Sequence, residues 1–324
     1  MTEDPFADPL QRPRYTGIPT LMRAPHTEDP AEADIALVGV PLDGGVTNRP
    51  GARHGPREIR NQSGLMRAFN PANRINPYEL CRVRDVGDAL IRRPFRLEDS
   101  LDDIEAFFRE VHAAGAVPIS AGGDHSLTLP IFRAIAADRP VGMVHFDAHC
   151  DTGGPRWGSA VHHGAPFKVA VEEGLLDPAR TVQIGIRGAT AEPDAWRFSY
   201  ESGMRVITMD EFHGLGVEKT IAEARRVAGD GPTYISFDVD GLDPVFAPGT
   251  GTPEVGGYTT HEAQLMLRGL RGLDLVGGDV VEVAPPFDPS GNTALVGATM
   301  MYEILCVAAD ALAARRPDSP SDPR

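Results

Sequence analysis

Val141-Gly142-Met143-Val144-His145-Phe146-Asp147-Ala148-His149-Cys150-Asp151 is an apolar run that ends in carboxylates and an imidazole at steps of two. Such a run, bounded by polar residues, reads as a buried strand, and on extended backbone Asp147, His149 and Asp151 would share one face. Open α/β sheets bind their ligands at the carboxyl ends of parallel strands. The same pattern returns in Ser236-Phe237-Asp238-Val239-Asp240, after the apolar run 234–237, and a third stretch, Gly122-Gly123-Asp124-His125-Ser126, follows the run 117–121. Together the three read as one site.

Outward from these stretches the chain alternates. Further apolar, β-branched runs lie at 35–40, 182–186, 206–209 and 276–283. Helical spacing marks 97–114, where Leu101, Ile104, Phe107, Phe108 and Val111 fall at three- and four-residue steps, and also 217–227, 260–270 and 293–313. Continuous apolar strands joined by helices predict an α/β protein: a single three-layer α/β/α domain around a mostly parallel sheet of about eight strands. The domain is expected over 31–313. Residues 1–30, rich in proline and charge, read as an arm rather than a core element, and 314–324 as a disordered tail.

The 324 residues carry a formal net charge of −15, the wrong sign for phosphate binding, so no nucleic-acid partner is expected. No apolar run of about 18 residues is read in the sequence and no leader at its start, which predicts neither membrane insertion nor export. Three scattered cysteines lack disulfide or zinc spacing and fit a reducing, cytoplasmic setting.

Alone, an Asp-x-Asp after a strand is a turn or a helix cap. Three such stretches at strand ends supply His125, Asp147, His149, Asp151, Asp238 and Asp240, a mixed oxygen and nitrogen set that suits a pair of divalent first-row ions. Paired ions roughly 3.5–4 Å apart can hold a hydroxide and lower its pKa towards neutrality. Cys150 should turn away from the ligand face and pack, and Asp124 should support the turn rather than bind metal.

These residues, with Gly39-Val40-Pro41, the segment 49–56, His163-Gly164, the segments 236–244 and 249–253, and Glu282-Val283-Ala284-Pro285, form an ordered series along most of the chain. The chain resembles the ureohydrolases, the arginase and agmatinase superfamily, and within it the agmatinase branch, with features of members that act on guanidino acids. The resemblance implies a hydrolase with two Mn2+ per chain, Ni2+ being an alternative, that releases urea from a small guanidino compound and assembles as a homo-oligomer, a hexamer or trimer. It implies that His125, Asp147, Asp151 and Asp238 hold one ion and Asp147, His149, Asp238 and Asp240 the other, so that Asp147 and Asp238 bridge. It also gives Asp151 the orienting of the nucleophile, His163 the proton for the leaving amine, and Glu282 the grip on the guanidinium. Ala165 departs from the threonine that relatives often carry after His-Gly.

The loop between Asp151 and His163 should carry substrate selectivity. Arg156 suits a substrate carboxylate, Trp157 the wall of a short aliphatic tail, and His162 is either a further substrate contact or a loop residue. A carboxylate partner for Arg156 favours a guanidino acid, 3-guanidinopropionate or 4-guanidinobutyrate, over agmatine, whose second cation Arg156 would repel. Agmatine and free guanidine are the alternative substrates. A formimino hydrolase or deacetylase of the same fold, or a catalytically silent subunit, are the other readings, the last of which would have lost ligands.

Overall fold

The computed structural model describes residues 13–190 and 192–316. Eight strands, β1 (Ile35–Val40), β2 (Val83–Asp88), β3 (Val117–Gly122), β4 (Val141–Phe146), β5 (Leu176–Ile186), β6 (Arg205–Thr208), β7 (Thr233–Asp238) and β8 (Leu275–Val281), form one sheet in the order β2-β1-β3-β8-β7-β4-β5-β6. Every pairing is parallel. Apolar runs become strands here because both faces of the sheet are covered. In β1, Ile35 and Leu37 join one core while Ala36, Val38 and Val40 join the other.

The second core holds the inner faces of Leu97–Ala113, through Leu101, Ile104, Phe108 and Val111, and of Thr128–Ile135 and Pro166–Glu172. The first core holds Gly55–Gln62, Val217–Ala228, Thr260–Gly269 and Asn292–Ala314. The three-layer α/β/α prediction and the predicted helices are therefore realised. Asn292–Ala314 has the length and composition to cross a membrane, which the sequence reading missed, but 78% of its most apolar window is buried inside the molecule. It is the central helix of one layer.

Two expectations are corrected and one strand is added. Leu21, Met22 and Ala24, placed in an arm, are buried in the first core, and the Leu21 amide donates to Asp85 Oδ2 at 2.7 Å. The last helix runs through Ala314, and Arg315 and Arg316 pair with Asp274 and Asp34, so 314–316 are not a tail; 1–12 and 317–324 lie outside the described residues. Strand β2 carries Arg84, Asp85 and Asp88 among its valines and reads as no apolar run, yet it pairs along β1 at the sheet edge, where half-burial is enough.

Candidate metal centre and active site

The central strands β3, β8, β7 and β4 are neighbours, so their carboxyl ends bring together His125, Glu282, Asp238 and Asp147 from distant parts of the sequence. The residues beyond the strands do not stay extended, and the side chains do not converge by strand alternation as predicted. β4 stops at Phe146, and the His149 amide then donates to Asp147 Oδ1 at 2.6 Å. At β7 the Asp240 amide donates to Asp238 Oδ1 at 2.8 Å, opening the 3-10 turn Val239–Gly241. Asp151 and Glu282 take φ of +52° and +64°, a left-handed backbone that costs of order 1–3 kcal/mol in a non-glycine residue and is found at functional sites.

Two groups of donor atoms result. His125 Nδ1 faces Asp151 Oδ2 at 3.0 Å, Asp147 Oδ2 at 3.2 Å and Asp238 Oδ2 at 3.3 Å. His149 Nδ1 faces Asp240 Oδ2 at 3.2 Å and Asp147 Oδ1 at 3.3 Å. Asp147 thus turns one oxygen towards each group. Of these side chains His149 is the most open, at 32% exposure, which marks the solvent side of the site.

The donor set fits a pair of cations. Ser236 Oγ donates its one proton to Asp279 Oδ1 at 2.8 Å, so at 2.8 Å it accepts from His125 Nε2. Nδ1 then faces three carboxylates, buried and without a hydrogen-bond partner among the described residues. Positive charge satisfies that arrangement, either as a proton on Nδ1 or, with the ring neutral, as a metal ion. Burial opposes a charge on His125, yet Asp147, Asp151 and Asp238 push its pKa well above the usual imidazole range. Burial, with the charges of Asp240 and Asp147, pushes Asp238 up, and burial raises Asp240 to about 6 against the pull of His149. The carboxylates cannot all keep their charge unless positive charge is placed between them.

Glu282 stands beside this cluster. Its Oε1 accepts from the His125 amide at 2.9 Å and lies 2.9 Å from His163 Nδ1, whereas its Oε2 is buried with no partner among the described residues. The missing side chain of Gly251 leaves that oxygen its space, since a Cβ there would sit 3.3 Å away. A planar cation with N–H donors fits such a carboxylate. His163 Nε2 meets the Thr47 amide at 3.1 Å and the Thr47 hydroxyl at 2.6 Å. The amide can only donate, which matches a bare Nε2, whereas Glu282, Asp124 and Asp151 outweigh burial and push the His163 pKa up to about 9. Thr47 serves both states, its amide the neutral ring and its hydroxyl the protonated one.

The selectivity loop is less as predicted. Arg156 and Ser159 exchange backbone hydrogen bonds at 3.0 and 2.9 Å, a tight turn that leaves Arg156 exposed and Trp157 83% exposed. Neither side chain makes a hydrogen bond or ion pair among the described residues, and Trp157 walls nothing here. His162 holds the loop: Nε2 lies 3.0 Å from the Gly154 carbonyl and Nδ1 accepts from the Gly164 amide at 3.1 Å, leaving no ring nitrogen for a substrate. Asp124 accepts from Gly45, Ser126 and the Ser126 hydroxyl, and Cys150 packs with Ile186 and Val206, as expected of both. Sequence reasoning missed the parts played by His145, Gln183, Ser236 and Asp279, whose polar side chains inside apolar runs were the available signal, and by Thr47, which lies in a loop and offered none.

A model of the arginase family matches residues 33–307. The chain is 62% identical over 307 residues to guanidinopropionase of Pseudomonas aeruginosa, covering 94% of this chain and 96% of that one. Among solved structures it superposes on proclavaminate amidinohydrolase from Streptomyces clavuligerus with a TM-score of 0.89, at 41% identity over 93% of this chain and 100% of that one. It superposes on Trypanosoma cruzi formiminoglutamase, solved with Mn2+, with a TM-score of 0.80 at 25% identity, over 90% and 99% of the two chains. The chain belongs to the arginase family. It is a hydrolase of C–N bonds in linear amidines, an amidinohydrolase with a His and Asp cluster suited to two metal ions.

Proposed function

We propose that the substrate is a guanidino acid, 3-guanidinopropionate or 4-guanidinobutyrate, cleaved to urea and the corresponding amino acid with two Mn2+ per chain. The observation that carries this reading is the likeness to guanidinopropionase over nearly the whole chain, joined to a partnerless buried Glu282 oxygen beside the donor cluster. His125, Asp147, Asp151 and Asp238 would hold one ion, and Asp147, His149 and Asp240 the other, with Asp238 shared. When bound, such ions supply the Lewis acidity that makes water a nucleophile near neutral pH.

The chain's residues do the rest. Glu282 Oε2 receives the guanidinium N–H groups and fixes the plane of the reacting carbon. Asp151, locked in its left-handed backbone, orients the attacking water. His163, between Glu282 and Thr47, gives its proton to the nitrogen that leaves with the substrate tail as the C–N bond breaks. Arg156, whose guanidinium has no partner among the described residues, meets the substrate carboxylate.

A urea-release screen of the Mn2+-loaded protein tests this. Guanidino acids should be turned over in preference to agmatine, arginine and guanidine; a strong preference for agmatine would refute the choice of substrate. Arg156→Ala should raise KM for the preferred acid and leave kcat nearly unchanged, and an unchanged KM removes Arg156 from the site. We also infer a cytoplasmic homo-oligomer of three or six chains; the buried free thiols Cys81, Cys150 and Cys306 support the reducing compartment. Sedimentation in solution checks the subunit number.

A further inference from the structure

Four polar side chains form a row across the middle of an otherwise apolar sheet. Gln183 on β5 is in register with His145 on β4, His145 with Ser236 on β7, and Ser236 with Asp279 on β8. All four are fully buried. The Ser236 and Asp279 end of the row fixes His125. We infer that the other end, His145 with Gln183, is a positioning pair that fixes the carboxylate of Asp147 across the two halves of the metal centre, an inference that rests on the metal reading above.

Hydrogen-bond logic sets each proton in turn. The Gln183 amide nitrogen lies 2.6 Å from the Cys150 carbonyl, which can only accept, so this atom is the NH2 and not the oxygen. The same nitrogen lies 3.1 Å from His145 Nδ1 and donates its second hydrogen there. Nδ1 is therefore bare, the ring proton sits on Nε2, and Nε2 donates to Asp147 Oδ2 at 2.8 Å. His145 lies among donor atoms of His125, Asp147 and Asp151, yet with both nitrogens engaged it offers no lone pair to an ion. The ring cannot turn away, because Phe167 packs edge-on at 4.6 Å and His125 at 5.2 Å.

The consequence falls on Asp147. The His149 amide holds Oδ1 from one side and His145 holds Oδ2 from the other, so the carboxylate plane is fixed with one oxygen towards each group. Gln183 also holds the carbonyl of Cys150, between the ligands His149 and Asp151, and ties the ligand turn to the same row. Without the His145 donor, Oδ2 loses its only side-chain proton partner outside the donor set among the described residues, and the carboxylate is free to rotate. Outer-shell partners of this kind are worth about 10- to 100-fold in metal affinity.

The test is Mn2+ titration of chelator-stripped, full-length protein by calorimetry, with melting of the metal-free proteins measured alongside. Wild type should bind two ions per chain. His145→Phe, which keeps a flat ring but removes the donor, should weaken binding about 10- to 100-fold. His145→Gln, which returns an N–H near the position of Nε2, should restore most of it. Gln183→Met, which leaves the imidazole but frees its tautomer, should weaken binding in the same direction by less, and decides the matter if His145→Phe does not fold. Wild-type affinity in His145→Phe, or in Gln183→Met when that variant decides, overturns the inference even if melting falls. A wild-type protein that binds no divalent ion overturns instead the metal reading on which it rests.

Discussion

Replacing Glu282 by glutamine changes one atom and one charge at the point where the guanidinium is expected. The oxygen that accepts from the His125 amide at 2.9 Å and faces His163 Nδ1 will remain the amide oxygen, because both partners supply protons there. The new NH2 must then occupy the place of Oε2, the buried oxygen that has no partner. It would present N–H groups to the N–H groups of the substrate. A buried charge that loses its partner costs about 3–5 kcal/mol, and at 1.4 kcal/mol per tenfold this is a fall in kcat/KM of roughly two to three and a half orders of magnitude. Urea release measures it, and metal content should stay at the wild-type level because Glu282 is outside both donor groups. A kcat/KM within about fivefold of wild type would refute the assignment of Oε2 to the guanidinium. A large loss accompanied by loss of metal would show instead that Glu282 acts through His125.

Asp147→Asn should abolish activity and bound metal together, since one oxygen of Asp147 faces each group; a variant that keeps both ions refutes the bridge. In Gly241→Ala the new Cβ would lie 2.0 Å from the Tyr258 hydroxyl and 3.0 Å from the Asp147 amide, and overpacking should cost about 3 kcal/mol and lower Tm by about 4 °C, partly recovered by Tyr258→Phe in the same chain; an unshifted melting curve refutes it. Metal-free protein should lose stability as pH rises. The Asp240 pKa is raised from 3.8 to about 6, so its contribution is fully present below about pH 4 and is lost through pH 6, on the order of 3 kcal/mol; the upward shift of Asp238 acts in the same direction, those of His125 and His149 add to it above about pH 6.5, and the downward shift of Asp147 opposes it near and below pH 4. Urea denaturation after chelator treatment checks this, and a stability that rises from pH 4 to 7 would contradict it.

Strands β1, β3, β4, β7 and β8 were legible because each is an apolar run buried on both faces, and burial on both faces needs no partner-specific pattern. Edge strand β2 was not legible, since a strand with one open side tolerates Arg84 and Asp88, and its place is set by pairing with β1. The segment before residue 30 misled for the related reason that composition cannot show Leu21 and Met22 joining the core that holds Ile59 and Met66.

At the site, residue type together with its recurrence in three stretches at the ends of apolar runs marked His125, Asp147, His149, Asp151, Asp238 and Asp240, because one such stretch has other uses and three do not coincide by accident. The sequence also determined where along the chain those donors fall and, through strand length and helix spacing, the class of fold. How they meet was decided by tertiary structure: two turns closed by Asp147 and Asp238, left-handed backbone at Asp151 and Glu282, and a sheet order that sets β3, β8, β7 and β4 side by side. The row from Gln183 to Asp279 belongs wholly to that level. Its members are separated by tens of residues and meet only through the register of parallel strands, a relation between segments that the spacing within any one of them does not carry.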